Sequence, residues 1–338
     1  MSATVAIVGC GLVWNRGPPS STPLAARRAA VGAGGDVPDF TGLDEVIEAA
    51  APNRADRRAM GPAMMAGCAA AWLALCQAGM HGQVAMLADM DLFASGRMTE
   101  RLDEVDAEAL SAMSGADDLA ILGRVLRDGL RPSFFLSQLS NLLAANIAIT
   151  QGVCGRSQTF LGNEGAGVDC VATGLRRIQD SASMRCLVGG VFRGQGACAR
   201  IGFEAEARLS GRQSDLGSAA AFLVLENAAA TAARGGTCLA LLRSLEWEAA
   251  TGRPVSHARD LGHAVSLNPP PVEFCAGHAP WGPEALAGRL SEAAFPTSLV
   301  LAVEALRDLA AAGPGTARIL VDYADANGRA CAIVERAS

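Results

Sequence analysis

Glu164 is the residue in this sequence whose position best suits it for chemistry. The stretch SQTFLGNEGAGVDCVATGLRRI (residues 157–178) begins with a β-type run over residues 157–161, passes through Gly162 and Asn163, and continues in a helical pattern. A side chain at a strand-to-helix turn points into the open, near the free backbone N–H groups and the positive end of the helix dipole. The pattern therefore allows Glu164 to be a catalyst, a group that fills a site, or only a helix cap.

The composition narrows the class of protein. The chain has 338 residues with a net charge of −6, a pI near 5.3 and 4% aromatic residues. An acidic chain with few aromatic residues lacks the basic stripe and the stacking surface that nucleic-acid-binding proteins use. Half of the residues are apolar, but no apolar run reaches the roughly 18 residues needed to cross a bilayer. We therefore expect no nucleic-acid partner and no membrane span.

The cysteines argue against metal and disulfide chemistry. Ten cysteines are scattered along the chain without C-x-x-C or paired Cys/His spacing, and no signal-peptide pattern opens the sequence. The glycines of GCG (residues 9–11) lack the third glycine and the helix of a dinucleotide-binding fingerprint. These patterns predict a cytoplasmic protein with no metal and no cofactor.

The elements around Glu164 predict a layered α/β protein. In the first part of the chain we expect strands at residues 3–14, 84–89, 157–161, 185–192 and 218–227, buried helices at 54–80 and 134–152, a helix from the Glu164 turn to about residue 180, a short helix near 42–50 and polar helical structure over 95–129.

A second series of elements follows a glycine-rich junction near residues 234–236. The predicted strands lie at 237–249, 271–278, 317–324 and 330–336, with a helix at 296–313. The repetition predicts two similar halves of one compact unit, residues 1–235 and 236–338.

Three stretches resemble motifs of the β-ketoacyl-acyl-carrier-protein synthases, which belong to the thiolase-like superfamily. Residues 54–80 are similar to the R-x-D-R…A…A-L-x-x-A-G-L helix, residues 140–155 (SNLLAANIAITQGVCG) to P-N-x-x-A-x-x-I-x-x-x-x-G-x-x-G, and residues 216–235 (LGSAAAFLVLENAAATAARG) to G-E-G-A-x-x-L-V-L-E-x-x-x-x-A-x-x-R-G. The resemblance covers nearly the whole chain in the family's order. It implies a thiolase-like five-layer α-β-α-β-α fold made of two similar halves.

The resemblance places Glu164 where the family has its nucleophilic cysteine, in T-A-C-x-S-G, and Gly167 on the family glycine. The family dimerises through the strand that carries this turn. The resemblance therefore implies an elbow and interface role for Asn163, Glu164, Gly165 and Gly167. Cys154 precedes the strand and Cys170 lies about two turns into the helix. We expect both cysteines to be packing residues.

The family's two catalytic histidines are also altered. His278, in AGHAPWG, is a weak counterpart of the first histidine and lacks the threonines that follow it in the family. Arg289 stands where the second would be. The glycine-rich gate near the family's C terminus has only YADANGRA (residues 323–330) as its counterpart.

A carboxylate is too weak a carbon nucleophile to hold an acyl chain for condensation as a thiolate does, so independent activity is not expected. The resemblance then implies a chain-length-factor-type subunit that heterodimerises with an active ketosynthase and meets an acyl carrier protein, in fatty-acid, polyketide or aryl-polyene-like biosynthesis. A homodimer in isolation is compatible with such an interface.

Two alternatives remain open at this point. The first is a malonyl-carrier decarboxylase with glutamate in place of cysteine, for which Arg289 would have to offset the negative charge of Glu164 beside an anionic substrate. The second is a homodimeric, non-enzymatic scaffold in which Glu164 only caps its helix.

Overall fold

One mixed sheet of nine strands organises the chain. The computed structural model describes residues 3–15, 40, 43–97, 102–113, 119–130, 139, 141–162, 164–210, 216–249, 272–276, 288–312, 318–324 and 328–337. The strands are β1 (Val5–Trp14), β2 (Asp91–Gly96), β3 (Ser157–Leu161), β4 (Arg185–Arg193), β5 (Ser218–Asn227), β6 (Ala240–Ala249), β7 (Val272–Ala276), β8 (Arg318–Ala324) and β9 (Gly328–Arg336). Their order in the sheet is β3-β2-β4-β5-β1-β6-β9-β8-β7.

Eleven α-helices connect or cover these strands within the described residues. They are α1 (Leu43–Ala50), α2 (Arg54–Arg58), α3 (Pro62–Gln77), α4 (Val84–Leu87), α5 (Asp103–Met113), α6 (Leu119–Gly129), α7 (Leu142–Gln151), α8 (Glu164–Gln179), α9 (Ala197–Ser210), α10 (Ala228–Ala233) and α11 (Ala294–Ala312). A short 3-10 turn, Ser291–Ala293, leads directly into α11.

The strand pairings repeat along the chain. Strand β2 is parallel to β4, which is antiparallel to β5, which is antiparallel to β1. In the same way β7 is parallel to β8, which is antiparallel to β9, which is antiparallel to β6. The antiparallel pair β1–β6 joins the two sets. This confirms the predicted α/β fold of two similar halves.

An arginine and a glutamate face each other at equivalent places in the two halves. Arg185, the first residue of β4, lies opposite Glu226 on β5, and Arg318, the first residue of β8, lies opposite Glu335 on β9. The repeat therefore extends to side chains. The boundary between residues 235 and 236 falls between α10 and β6, and it stays a prediction.

Helices α8 and α11 form the central layer. Both contact strands of the two halves, and together with β1, β4, β5, β8 and β9 they enclose one apolar core. Helix α3 covers the opposite face of β1, β4 and β5 and closes a second core with α1 and α7. Four of the five predicted layers are thus formed by the described elements: helices α1, α3 and α7, the first set of strands, helices α8 and α11, and the second set of strands. Residues 250–271, between β6 and β7, lie outside the described residues.

The structure corrects several predicted elements. The helix expected over residues 54–80 is two helices, α2 and α3, because Gly61 and Pro62 end one segment and start the next: proline at the first helical position lacks only an N–H that no helical bond would use. Residues 84–87 are helical rather than a strand, and the strand is β2, residues 91–96. A short apolar run does not distinguish the two by its period.

Other differences are smaller. Residues 95 and 96 belong to β2 rather than to the polar helical stretch, which the structure describes as α5 and α6. Helices α9 and α10 were not predicted. In the predicted buried helix at 134–152, the described part, α7, starts at residue 142. None of the helices that the structure describes is long and apolar enough to cross a membrane.

Candidate functional site

Residue 164 starts helix α8 at a sharp turn after β3. Strand β3 ends at Leu161, Gly162 has a φ of +150°, which glycine tolerates far better than other residues, and α8 begins at Glu164. Strands β2, β3 and β4 are parallel, so their last residues lie at one edge of the sheet, which we call the carboxyl edge. The predicted strand-to-helix elbow is therefore present at that edge. Asn163 lies outside the described residues.

Neither nearby cysteine occupies the elbow. Cys170 is buried in α8, and its single S–H is shared between the carbonyl oxygens of Phe93 (3.0 Å) and Gly189 (3.2 Å). Burial raises the pKa of this thiol well above its ordinary value, so it is held as the unreactive protonated form. Its predicted packing role is confirmed. The same prediction is wrong for Cys154, which is exposed between α7 and β3.

The first turn of α8 is packed tightly against the turn that precedes α11. A Cβ atom at Gly167 would lie 2.5 Å from the carbonyl oxygen of Glu292 and 3.0 Å from Cδ of Pro296. On the sheet side, a Cβ at Gly190 would overlap the same carbonyl oxygen and the Ser95 hydroxyl. Gly167 is therefore an intramolecular packing residue, because its missing side chain makes room for this turn.

The Ser291–Ala293 turn is fixed from the sheet as well. The hydroxyl of Ser95, near the end of β2, lies 3.0 Å from the Glu292 carbonyl oxygen and 3.2 Å from that of Gly189, and its single O–H is shared between these two acceptors. Ser291 has a φ of +42°, an uncommon value for a residue with a side chain. Such strain persists only where the surroundings enforce it, and it clusters at functional sites.

Buried polar atoms accumulate at this turn. The side chain of Glu292 is fully buried, and the hydroxyls of Ser291 and Thr297 are buried without a hydrogen-bond partner among the described residues. Buried polar groups in folded proteins are nearly always paired. The turn before α11 is therefore less well satisfied than an ordinary core segment.

Arginine and aromatic side chains extend from Glu292 to helix α9. The Nε atom of Arg97 lies 3.7 Å from a carboxylate oxygen of Glu292, and its guanidinium carbon lies 5.6 Å from the ring centre of Phe192 and 5.2 Å from that of Phe203. The two rings pack edge to face at 5.7 Å. These distances are those of cation–π and aromatic contacts that hold partly buried groups in place.

Arg289 approaches Phe203 as well. Its guanidinium carbon lies 4.4 Å from the centre of that ring, and its Nη1 atom donates a hydrogen bond to Glu206 at 3.0 Å. The backbone carbonyl of Arg289 accepts a hydrogen bond from Gly217. Arg289 thus lies near the carboxyl edge with its charge engaged by a glutamate of α9, and its correspondence to the family's second histidine stays a prediction. His278 lies outside the described residues.

Sequence reasoning missed most of this cluster. Arg97, Phe192, Phe203 and Glu292 were not predicted, since each is unremarkable in its own segment. One usable signal was the position of Glu292, only three residues after Arg289 and inside an apolar stretch. Within the described ranges, no group of three or more histidine, cysteine, aspartate or glutamate side chains could hold a metal ion.

Comparison with known proteins supports the fold. No protein-family model matches the chain, and no curated protein matches it in sequence. A structure described as a type II polyketide synthase acyl-carrier protein in complex with its ketosynthase bound to the hexaketide matches with a TM-score of 0.73 at 16% identity, covering 100% of both chains.

Two further structures agree. The ishigamide ketosynthase/chain length factor matches with a TM-score of 0.71 at 16% identity over 99% of this chain and 100% of the other. A β-ketoacyl synthase from Burkholderia phymatum matches with a TM-score of 0.70 at 15% identity over 100% of both. The chain therefore has the thiolase-like fold of the ketosynthases over its full length.

Proposed function

We propose that this chain is a non-catalytic, ketosynthase-like subunit of the chain-length-factor type, which pairs with an active β-ketoacyl-acyl-carrier-protein synthase. The observation that carries the proposal is the position of Glu164 at the start of α8, at the strand-to-helix elbow of a ketosynthase fold. An elbow of this kind activates a thiolate through backbone N–H groups and the helix dipole. A glutamate there has no thiolate to activate, and we propose that it replaces the family nucleophile.

The environment of Arg289 favours this proposal over a decarboxylase. A decarboxylase needs a free cation or hydrogen-bond donors at the developing enolate. Arg289 is the cation expected to fill that role, yet it is bonded to Glu206 and lies over Phe203. Its positive charge is therefore largely balanced before any substrate arrives.

The edge of the sheet supplies a surface for a partner. Strand β3 lies at one end of the strand order and is only partly buried, with Leu161 39% exposed. Ile149 on the neighbouring α7 is 68% exposed. Among the described strands, none pairs with the outer side of β3, and an edge strand with apolar neighbours is a template for pairing with another chain. We propose that the active ketosynthase docks there, and that an acyl carrier protein delivers intermediates to the pair.

Reconstitution tests the proposal. The chain is produced alone and together with a cysteine-bearing ketosynthase encoded beside it, followed by size exclusion and by condensation and malonyl-carrier decarboxylation assays. We expect no turnover of either kind from the chain alone and a stable heterodimer on co-expression. We also expect no condensation after Glu164→Cys, since we propose that Arg289 replaces a histidine of the active enzymes. Glu164→Gln serves as the matched control.

Three outcomes would contradict it. Condensation by the isolated Glu164→Cys variant would show that the rest of the catalytic apparatus is intact. Decarboxylation by the unaltered chain would establish the enzyme alternative. A homodimer that ignores every ketosynthase offered would favour the scaffold.

A further inference from the structure

We propose that the carboxyl edge of this chain is closed to acyl chains by a cluster of side chains, the edge cluster, formed by Arg97, Phe192, Phe203, Glu206, Arg289 and Glu292. The inference rests on the proposed function, because it asks whether a ketosynthase-like subunit without a nucleophile still admits an acyl chain beside residue 164. A subunit could lose its chemistry and keep an open site. The edge cluster indicates that this one has lost both.

The first step is the absence of space beside the first turn of α8. The Glu292 carbonyl is in contact with the bare Cα of Gly167 on one side and of Gly190 on the other. Neither glycine could gain even a methyl group without displacing backbone atoms. An acyl chain therefore has no room between α8 and strand β4 at this level.

The second step is the link from this turn to Phe203. The Glu292 side chain is fully buried and its carboxylate lies 3.7 Å from Arg97, whose guanidinium is seated against Phe192 and Phe203. Moving Arg97 aside would give up this ion pair and both ring contacts. Arg97 is thus held between the turn before α11 and the two rings.

The third step is the way in which α9 is attached. Phe203 and Ala199 are the buried apolar residues of this helix, while Ile201 and Leu209 on its other side are 67% and 91% exposed. The Arg289–Glu206 ion pair and the hydrogen bond from the Ala197 N–H to Asp103 add to the attachment. Phe203 is therefore the main anchor that keeps α9 against the cluster.

The charges also discourage an anionic ligand. The edge cluster contains two guanidinium groups and two carboxylates, which pair as Arg97 with Glu292 and Arg289 with Glu206. A neutral cluster gives no long-range attraction to a malonyl carboxylate or a phosphopantetheine phosphate. Shape and charge therefore agree that the site is closed.

A cysteine placed at residue 164 reports on this space. The variant Glu164→Cys is alkylated with iodoacetamides that carry N-alkyl tails of increasing length, and the adduct at position 164 is followed by peptide mass spectrometry. With a closed edge the tail gains no apolar contact, so we expect a rate independent of tail length. In Glu164→Cys/Phe203→Ala the emptied space should accept the tail, and the rate should rise roughly tenfold from the shortest to the longest tail, a barrier difference of about 1.4 kcal/mol.

Controls make the result decisive. Glu164→Cys/Arg208→Ala alters an exposed residue of the same helix and should behave as Glu164→Cys. Labelling of buried Cys170 and Cys186 in the same samples detects unfolding, and Glu164→Cys/Arg97→Ala provides a second way to open the edge if Phe203→Ala unfolds.

Two results would overturn the proposal. The first is a rate that already rises with tail length in Glu164→Cys alone, which would show an open site. The second is a length-independent rate in both opened variants when they are folded. Neither result bears on the proposed function, which is tested by the condensation and pairing assays on the unlabelled chain.

Discussion

The two edges of the N-terminal strands use the same residue types for different purposes. At the edge where β2 and β4 begin, the amino edge, buried Glu226 accepts hydrogen bonds from Thr231 (2.8 Å), Arg234 (2.9 Å) and Arg185 (3.4 Å). Asp91 accepts one from Arg177 at 2.6 Å. At the carboxyl edge, the Nε atom of Arg97 lies 3.7 Å from the carboxylate of buried Glu292. The neighbouring Ser291 has a strained backbone, and its hydroxyl has no hydrogen-bond partner among the described residues.

We interpret the amino edge as a stabilising network and the carboxyl edge as the place of a former site. The Glu226 carboxylate at the amino edge accepts hydrogen bonds on both of its oxygens, as buried carboxylates that stabilise a fold do. The carboxyl edge instead holds the strained Ser291 backbone and the buried hydroxyls of Ser291 and Thr297, which have no hydrogen-bond partner among the described residues. Native proteins depart from local rules mainly at functional sites, and we interpret the carboxyl edge as such a site, filled rather than emptied.

The largest effect is expected at the amino edge. Glu226→Ala leaves Arg185 and Arg234 without their shared carboxylate, so we expect a loss of about 3–5 kcal/mol in the free energy of unfolding, as for other broken buried pairs. Denaturant unfolding followed by circular dichroism measures it.

The matched change at the carboxyl edge is Glu292→Gln. The amide keeps the shape of the side chain and removes a charge that burial penalises, and Arg97 is 38% exposed to water, so we expect a cost of at most about 1 kcal/mol. If the two substitutions prove equally costly, the two edges are equivalent and the contrast fails.

An intermediate effect is expected from the glycine that brings α8 against the turn. Gly167→Ala places a methyl group 2.5 Å from the Glu292 carbonyl, and overpacking of this kind costs about 1–3 kcal/mol. The tight intramolecular contact predicts a larger loss for a larger residue: Gly167→Trp should disrupt the fold of the monomer before any dimer interface.

The control for this change is Gly202→Ala on α9, where a Cβ meets nothing within 4 Å. It should raise helix stability by roughly 0.5–1 kcal/mol. Thermal unfolding of both variants checks the sign of each effect, and a stabilised Gly167→Ala would refute the packing argument.

The smallest effect concerns Glu335, the counterpart of Glu226 in the second half. The hydrogen bond from Arg243, with further help from Arg318, holds the pKa of this carboxyl below its ordinary value. A lowered folded-state pKa contributes stability that is present above the unfolded-state pKa and lost as the pH falls through the folded-state pKa. The free energy of unfolding, measured from pH 7 down to about 3, should therefore fall less for Glu335→Gln than for the unaltered chain.

The matched control is Glu246→Gln on β6, which lies away from this arginine pair. Its pH profile should follow that of the unaltered chain. If the free energy of unfolding depends on pH in the same way in all three proteins, the two arginines do not stabilise the Glu335 carboxylate in the folded state.

The correctly predicted elements are those with a strong local signal. Strands β1, β4, β5 and β9 are apolar runs bounded by polar or turn residues, and the small residues around Gly162 predict the turn ahead of α8. The elements that were predicted wrongly or missed depend on packing against distant parts of the chain. Residues 84–87 have no period that separates helix from strand, and α9 shows only a sparse apolar face because one aromatic residue anchors it.

The sequence by itself determined most of the strands, the elbow after β3 and the glutamate that starts its helix, because strand, turn and helix preferences are local. Only the tertiary structure decided what surrounds the elbow. Arg97, Phe203 and the pair Arg289 and Glu292 come from three separate segments, and their contacts depend on how α9 and α11 pack against the ends of the parallel strands. Such contacts arise from close packing between distant parts of the chain, which no local pattern encodes.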